Sequence, residues 1–163
     1  MPDLIVLSSL SENFVQKVVT SFYEKEQLSG MDTPSSRGQL ILTNRRLVYI
    51  KYPEEVTRKF LGSQVWVNAG DFSNRIEEGL KNEGSFEIPI GQVRDAVMVS
   101  GFAPNSLFGF PKAQRFYYLN VRYQNSSGKK TCCFFFIAKE SDLKSLTEEF
   151  ANNIERLINE SKG

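Results

Sequence analysis

The segment Arg37 to Tyr52, RGQLILTNRRLVYIKY, restricts the fold of this chain more than any other stretch. Two short apolar runs, Leu40–Leu42 and Leu47–Ile50, flank the polar break Thr43-Asn44-Arg45-Arg46. β-branched and aromatic residues on both sides of a tight connection form the pattern of a β-hairpin. Asn44 is the residue best able to take the positive φ of a short turn. With Asn44 and Arg45 at the turn, Leu42 opposes Leu47 and Leu40 opposes Tyr49 on one face. Ile41 then opposes Val48 on the other.

Further strands follow. Phe86–Ile90, a turn at Gly91-Gln92, and Val93–Ser100 read as two of them. Pro89 cannot donate to a ladder and belongs at a strand end or an edge. Arg115–Tyr123 and Lys130–Ala138 flank the turn Asn125-Ser126-Ser127-Gly128 and read as a second hairpin. In its expected register Leu119 and Val121 share a face with Cys132, Phe134 and Phe136. The other face carries Phe116, Tyr118, Phe135 and Ile137. A half-solvated antiparallel sheet alternates polar and apolar, so the second face is expected to be covered by residues 1–30, by residues 53–84 or by another chain. From Ser141 the period changes to helical: Leu143, Leu146, Phe150, Ile154, Leu157 and Ile158 form one stripe, with Ser141 as the N-cap. The N-terminal region is open to two readings. Phe14, Val15, Val18, Val19 and Phe22 have helical spacing, and Lys17–Glu26 also alternates as a strand.

The stretch Gly-x-Leu-x-Leu-Thr-Asn-x-Arg-Leu-x-Tyr, from Gly38 to Tyr49, resembles the signature hairpin of GRAM and bacterial PH-like domains. The run Ile88-Pro89-Ile90…Val93 is similar to another part of that pattern. The resemblance extends over Arg37–Lys51, Phe86–Ser100 and Arg115–Ile158. It implies a mostly β, α+β fold: a seven-strand antiparallel PH-like barrel closed by the C-terminal amphipathic helix, with a short helical turn before the first strand. It also implies a binding module, since such domains are best known for lipid head groups and for peptide or protein partners. Arg46 matches the family's hairpin arginine, and there its expected role is to fix the turn. The resemblance leaves out residues 53–84, an inserted segment in which Asp71–Leu80 has the composition of a short helix.

At 163 residues the chain is expected to be one domain, spanning 1–163 and burying roughly 70% of its unfolded surface. Thirteen Phe and six Tyr supply much of that burial. A net charge of +1 makes no general case for nucleic acid. Cys132 and Cys133 are adjacent and point to opposite faces of a strand, so two reduced thiols are expected. No apolar run approaches the ~20 residues of a membrane span, and the Met-Pro-Asp start lacks the basic region of a signal peptide. The expectation is a cytoplasmic protein, with a membrane-peripheral location as its variant.

Catalytic constellations are scarce. The chain has no histidine, which removes His-based triads, bases and zinc sets. It also lacks a Walker loop, a dinucleotide fingerprint and a Gly-x-Ser-x-Gly elbow. The expectation is therefore no enzyme, no catalytic residue, no metal and no cofactor. Asp71, Glu77, Glu78 and Glu83 are read as solvated charges.

Binding residues are the better candidates. Arg37, Arg45, Arg46 and Lys51 in the first hairpin are a phosphate-binding set if they converge. Lys112, Arg115, Arg122, Lys129 and Lys130 form a second basic group around the later hairpin. The plain alternative for both is edge protection and solubility, which the interleaved acidic charge favours. The loop Gly101–Lys112 places Leu107, Phe108 and Phe110 beside Lys112. Such a loop can seat in a partner, dip into a membrane interface or fold back on the barrel end. With Phe116, Tyr118 and Phe135 these residues make up the expected partner surface. The leading expectation is a non-enzymatic module contacting a protein or macromolecular assembly. A peripheral membrane module is the first alternative, and a nucleic-acid or ribosome-associated factor the second.

Overall fold

The computed structural model describes residues 12–26, 34–52, 72–103 and 114–162. Among these residues, seven strands and two α-helices follow in order: β1 Phe14–Tyr23, β2 Ser36–Thr43, β3 Arg46–Lys51, α1 Phe72–Gly79, β4 Phe86–Pro89, β5 Val93–Ala103, β6 Gln114–Asn125, β7 Gly128–Phe136 and α2 Glu140–Lys162. The strands form one antiparallel sheet in the order β4-β3-β2-β1-β7-β6-β5. The N-terminal ambiguity resolves as a strand from Phe14 onward; Glu12 and Asn13 are not helical, and the rest of the expected helical turn lies outside the described residues.

The first hairpin has the expected register: Leu42 pairs with Leu47, Ile41 with Val48 and Leu40 with Tyr49. Thr43 makes the turn tight, because its Oγ1 accepts the Arg45 and Arg46 amides at 3.1 and 3.0 Å. Asn44 ties the turn to the chain ahead of β1. Its amide donates to the Asn13 carbonyl at 3.0 Å, and its Oδ1 accepts the Asn13 amide at 2.6 Å. The opening glycine has an equally local cause: a Cβ on Gly38 would overlap the Ile50 carbonyl oxygen on β3. Each polar letter and the opening glycine of the motif thus has a contact.

The sheet curls but is not closed; β4 and β5 are its edges. Tyr49 on β3 and Phe134 on β7 lie three strands apart, ~14 Å in a flat sheet. Their ring centroids are 6.0 Å apart, with Phe22 5.0 Å from Tyr49 and 5.5 Å from Phe134. Such contacts exist only on the concave side of a rolled sheet. A 3-10 turn, Ile90–Gln92, joins β4 to β5, and α2 packs on β5, β6 and this turn. Leu143, Phe150, Ile154, Leu157 and Ile158 of the expected stripe are buried, while Leu146 is only partly so. Phe150 meets Phe136 edge-on at 5.2 Å. The helix starts at Glu140, so Ser141 is its second residue and not the N-cap expected from the sequence.

The convex face of the first hairpin is covered by α1. Ile41, Val48 and Ile50 bury with Ile76 in a second apolar cluster, against which Leu80 packs. Part of the inserted segment is therefore a lid over one hairpin. The remainder, residues 53–71, lies outside the described residues.

Candidate functional site

Arg46 sits where the hairpin turn meets the rest of the fold. Its Nε lies 2.7 Å from Glu12 Oε2 and its Nη2 3.1 Å from Glu12 Oε1. Nη1 reaches Glu77 of α1 at 3.0 Å and also pairs with Glu87 of β4. Thr43 Oγ1 donates to Glu12 Oε2 at 2.9 Å. Burial opposes the charge, but the hydrogen bonds and charges of these carboxylates outweigh it and hold the guanidinium above its ordinary pKa. With its donors committed to three carboxylates, Arg46 is a structural clamp.

The proposed phosphate set does not converge. Arg37 and Lys51 flank the open end of the first hairpin, while Arg45 and Arg46 are at its turn, the length of a strand away. Leu107, Phe108, Phe110 and Lys112 lie outside the described residues. The other three partner candidates are at the surface in pattern only: Phe116 and Tyr118 are 2% exposed and Phe135 9%. Phe116 stacks on Tyr118 and Phe135 at 5.9 and 6.0 Å, and a Cβ on Gly101 would come within 2.6 Å of the Phe116 ring. Phe116 and Phe135 are therefore not a contact surface, while the buried Tyr118 borders a cleft described below. Ile137, expected to be covered with them, is exposed because it lies just past the end of β7.

Part of the cover on this face comes from the chain leaving β1, as the sequence pattern required. Tyr23 pairs with Cys133, after which Glu24–Glu26 cross the outer side of β7 and β6. Cys133 Sγ donates to the Lys25 carbonyl at 3.2 Å, and Asn120 Nδ2 to the Glu26 carbonyl at 2.9 Å. Asn120 also lies 3.4 Å from the Cys133 sulfur. Backbone carbonyls that β1 no longer pairs are satisfied by the side chains beneath them.

Beside this strap runs a two-lobed cleft. One lobe, about 540 Å3, is lined by Glu24–Glu26, Arg94, Asp95, Arg122, Tyr123 and Lys129–Thr131. The second, about 590 Å3, adds Val97, Val99, Ser100, Tyr118 and Asn120. Glu26, Arg122 and Thr131 line both, so the lobes are continuous. Arg122 is engaged by Asp95, its Nε donating to Oδ1 at 2.9 Å, which raises its pKa. Arg94 instead donates to Gln124 at 3.3 Å. Among the described residues, no carboxylate pairs with Arg94, Lys129 or Lys130, all of them exposed. Burial, then Cys132 and Glu24, push the Tyr123 phenol up, so it is a neutral hydroxyl in the wall. The cleft combines a cationic end with a floor of Val97 and Val99.

Sequence reading identified Arg122, Lys129 and Lys130 as basic, but it passed over Arg94, Val97, Val99 and Asn120. The available signal was the apolar alternation on both faces of Val93–Ser100, which shows its meaning only once β5 is known to be an edge. Both thiols are buried. Burial, then Cys133 and Glu24, raise the Cys132 pKa far above the ordinary thiol value. Among the described residues, no cluster of His, Cys, Asp and Glu suited to a metal ion occurs. No described helix is long and apolar enough to cross a membrane.

No protein-family model matches the chain, and no curated protein matches it. Among solved structures, the chain is similar to the hSac2 domain from human phosphoinositide phosphatase Sac2. The TM-score is 0.51 at 15% identity, covering 99% of this chain and 83% of that one. At that identity the likeness concerns fold alone: an antiparallel sheet with a C-terminal helix.

Proposed function

We propose that this chain is a non-enzymatic, PH-like binding module of the kind its hairpin signature resembles, and that it contacts a protein or macromolecular assembly through the cleft beside β5, β6 and β7. The observation that carries this reading is the make-up of the cleft: Arg94, Lys129 and Lys130 at one end with no carboxylate partner among the described residues, the exposed Val97 beside the partly buried Val99 along its floor, and carboxylates interleaved. Mixed polarity over an extended groove suits a polypeptide partner. The thiols offer no nucleophile, because Cys132 is held protonated and Cys133 is buried with its S–H bonded to backbone.

A lipid-surface reading draws on Arg94, Lys129 and Lys130 and on the phosphoinositide in the name of the phosphatase from which the similar hSac2 domain comes. Against it stand Glu24 and Glu26 in the same walls, which repel a multiply charged head group.

The test is affinity co-purification of the tagged full chain from its native source at low and high salt. Wild type is compared with Val97→Asp and with Lys129→Glu/Lys130→Glu, and each is also sedimented with anionic liposomes. The expected result is a defined partner that both variants lose, with no liposome pelleting. Salt-sensitive pelleting, or partner capture indifferent to both variants, would overturn the reading.

A further inference from the structure

We infer that the cleft receives one extended peptide segment that is acidic at one end and carries apolar side chains at alternate positions along the rest. The inference rests on the binding-module reading and adds the chemistry of the occupant.

The floor sets the conformation. β5 runs along the cleft from Asp95 to Ser100, a length of ~17 Å at the rise of a strand. That length accommodates about five extended residues. Val97 and Val99 are two residues apart and therefore point to the same face, ~7 Å from each other. Side chains at positions i and i+2 of an extended peptide have the same spacing, so two apolar groups can meet the two valines in register. Val97 is 44% exposed and is one of the few large apolar side chains at the described surface. Its partner across the ladder, Asn120, is held by the strap, and Val99 is only partly buried.

Charge sets the polarity. Arg94, Lys129 and Lys130 gather at the hairpin end of the cleft without carboxylate partners among the described residues, whereas Arg122 is already neutralised by Asp95. They come from two strands of the same sheet and form the cationic rim of one lobe. One or two carboxylates on the ligand complement this rim. A denser polyanion does not, because Glu24 and Glu26 share the wall. A polypeptide also brings backbone N–H donors at regular spacing along its length, which those carboxylates accept. Exposed as it is, the attraction is screened by salt with a Debye length of about 8 Å at physiological ionic strength. Acidic recognition should therefore weaken as salt rises while valine contact persists.

The test uses the full chain labelled with 15N. It is titrated with two pools of end-blocked heptapeptides, both built on alternating Val, Leu or Ile positions. One pool carries two Glu at either end, and the other carries Lys in their place. Inositol hexakisphosphate serves as the polyanion probe. The expected result is saturable amide shifts at Arg94, Val97, Val99 and Lys129–Thr131 with the Glu pool, at least tenfold weaker with the Lys pool. Lys129→Glu/Lys130→Glu should abolish them with an otherwise unchanged spectrum, since both side chains are exposed. Equal shifts with both pools, shifts elsewhere, no shifts, or tighter saturation of the same amides by inositol hexakisphosphate would each overturn the inference. Such a failure alongside cleft-dependent partner capture removes the peptide chemistry and leaves the binding module standing. Capture that ignores the cleft removes both.

Discussion

Replacing Arg46 by Met keeps the length and apolar stem of the side chain and deletes only the charged fork. The loss is unequal among its three carboxylates. Glu87 and Glu77 have side-chain exposures of 41% and 63%, so water compensates them and each contact contributes about 0–1 kcal/mol. The Glu12 side chain is 10% exposed and Arg46 13%. Removing one partner of a fully buried pair costs about 3–5 kcal/mol, mainly because the other charge is left uncompensated, and this pair is part-buried. Thr43 still donates one bond to Glu12, which places the expected cost near the lower end, about 3 kcal/mol. With a urea slope of ~2 kcal/mol/M, the midpoint of unfolding should fall by about 1.5 M. Glu12→Gln in the Arg46→Met background should recover part of this, because the stranded charge is gone. Arg46→Lys keeps the charge but not the two-pronged contact, and should fall between wild type and Met. A midpoint shift under 0.5 M for Arg46→Met, or strict additivity with Glu12→Gln, would refute the clamp.

Two further expectations concern the core. Phe150→Ala truncates a fully buried ring that packs on Phe136 and should cost about 3–5 kcal/mol, lowering Tm by roughly 6–20 °C in a thermal melt; an unchanged melt would mean that the stripe does not carry the core. Alkaline pH should destabilise the fold. Burial pushes the Tyr49 phenol up to about 12 from its ordinary 10.0, and burial raises Tyr52 as well. A raised folded-state value leaves stability intact below pH 10 and removes it as pH climbs toward 12, because the unfolded chain ionises first. Urea midpoints measured from pH 8 to 12 should fall above 10, and less steeply in Tyr49→Phe.

The sequence by itself determined the features that depend on neighbours along the chain. The register of the first hairpin was legible because a period of two combined with a turn of fixed length leaves one pairing for Leu40, Leu42, Leu47 and Tyr49. The stripe from Leu143 to Ile158 was legible because 3.6 residues per turn puts those positions on one side. The apolar second face of the later hairpin correctly announced that something lies over it. Tertiary structure alone decided what that cover is and what remains outside it. Phe116, Tyr118 and Phe135 have the composition of a docking patch, yet they are buried, and part of their face is crossed by Glu24–Glu26 from about a hundred residues earlier. Arg37, Arg45, Arg46 and Lys51 are close in sequence but divided between the two ends of a strand pair. Arg94 and Lys130 are far apart in sequence, yet they meet at one cleft because β5 and β7 flank β6. Local pattern specifies which side of an element is apolar. Whether that side is core, clamp or open groove depends on which distant segment settles there, a choice that burial and charge make only in the assembled sheet.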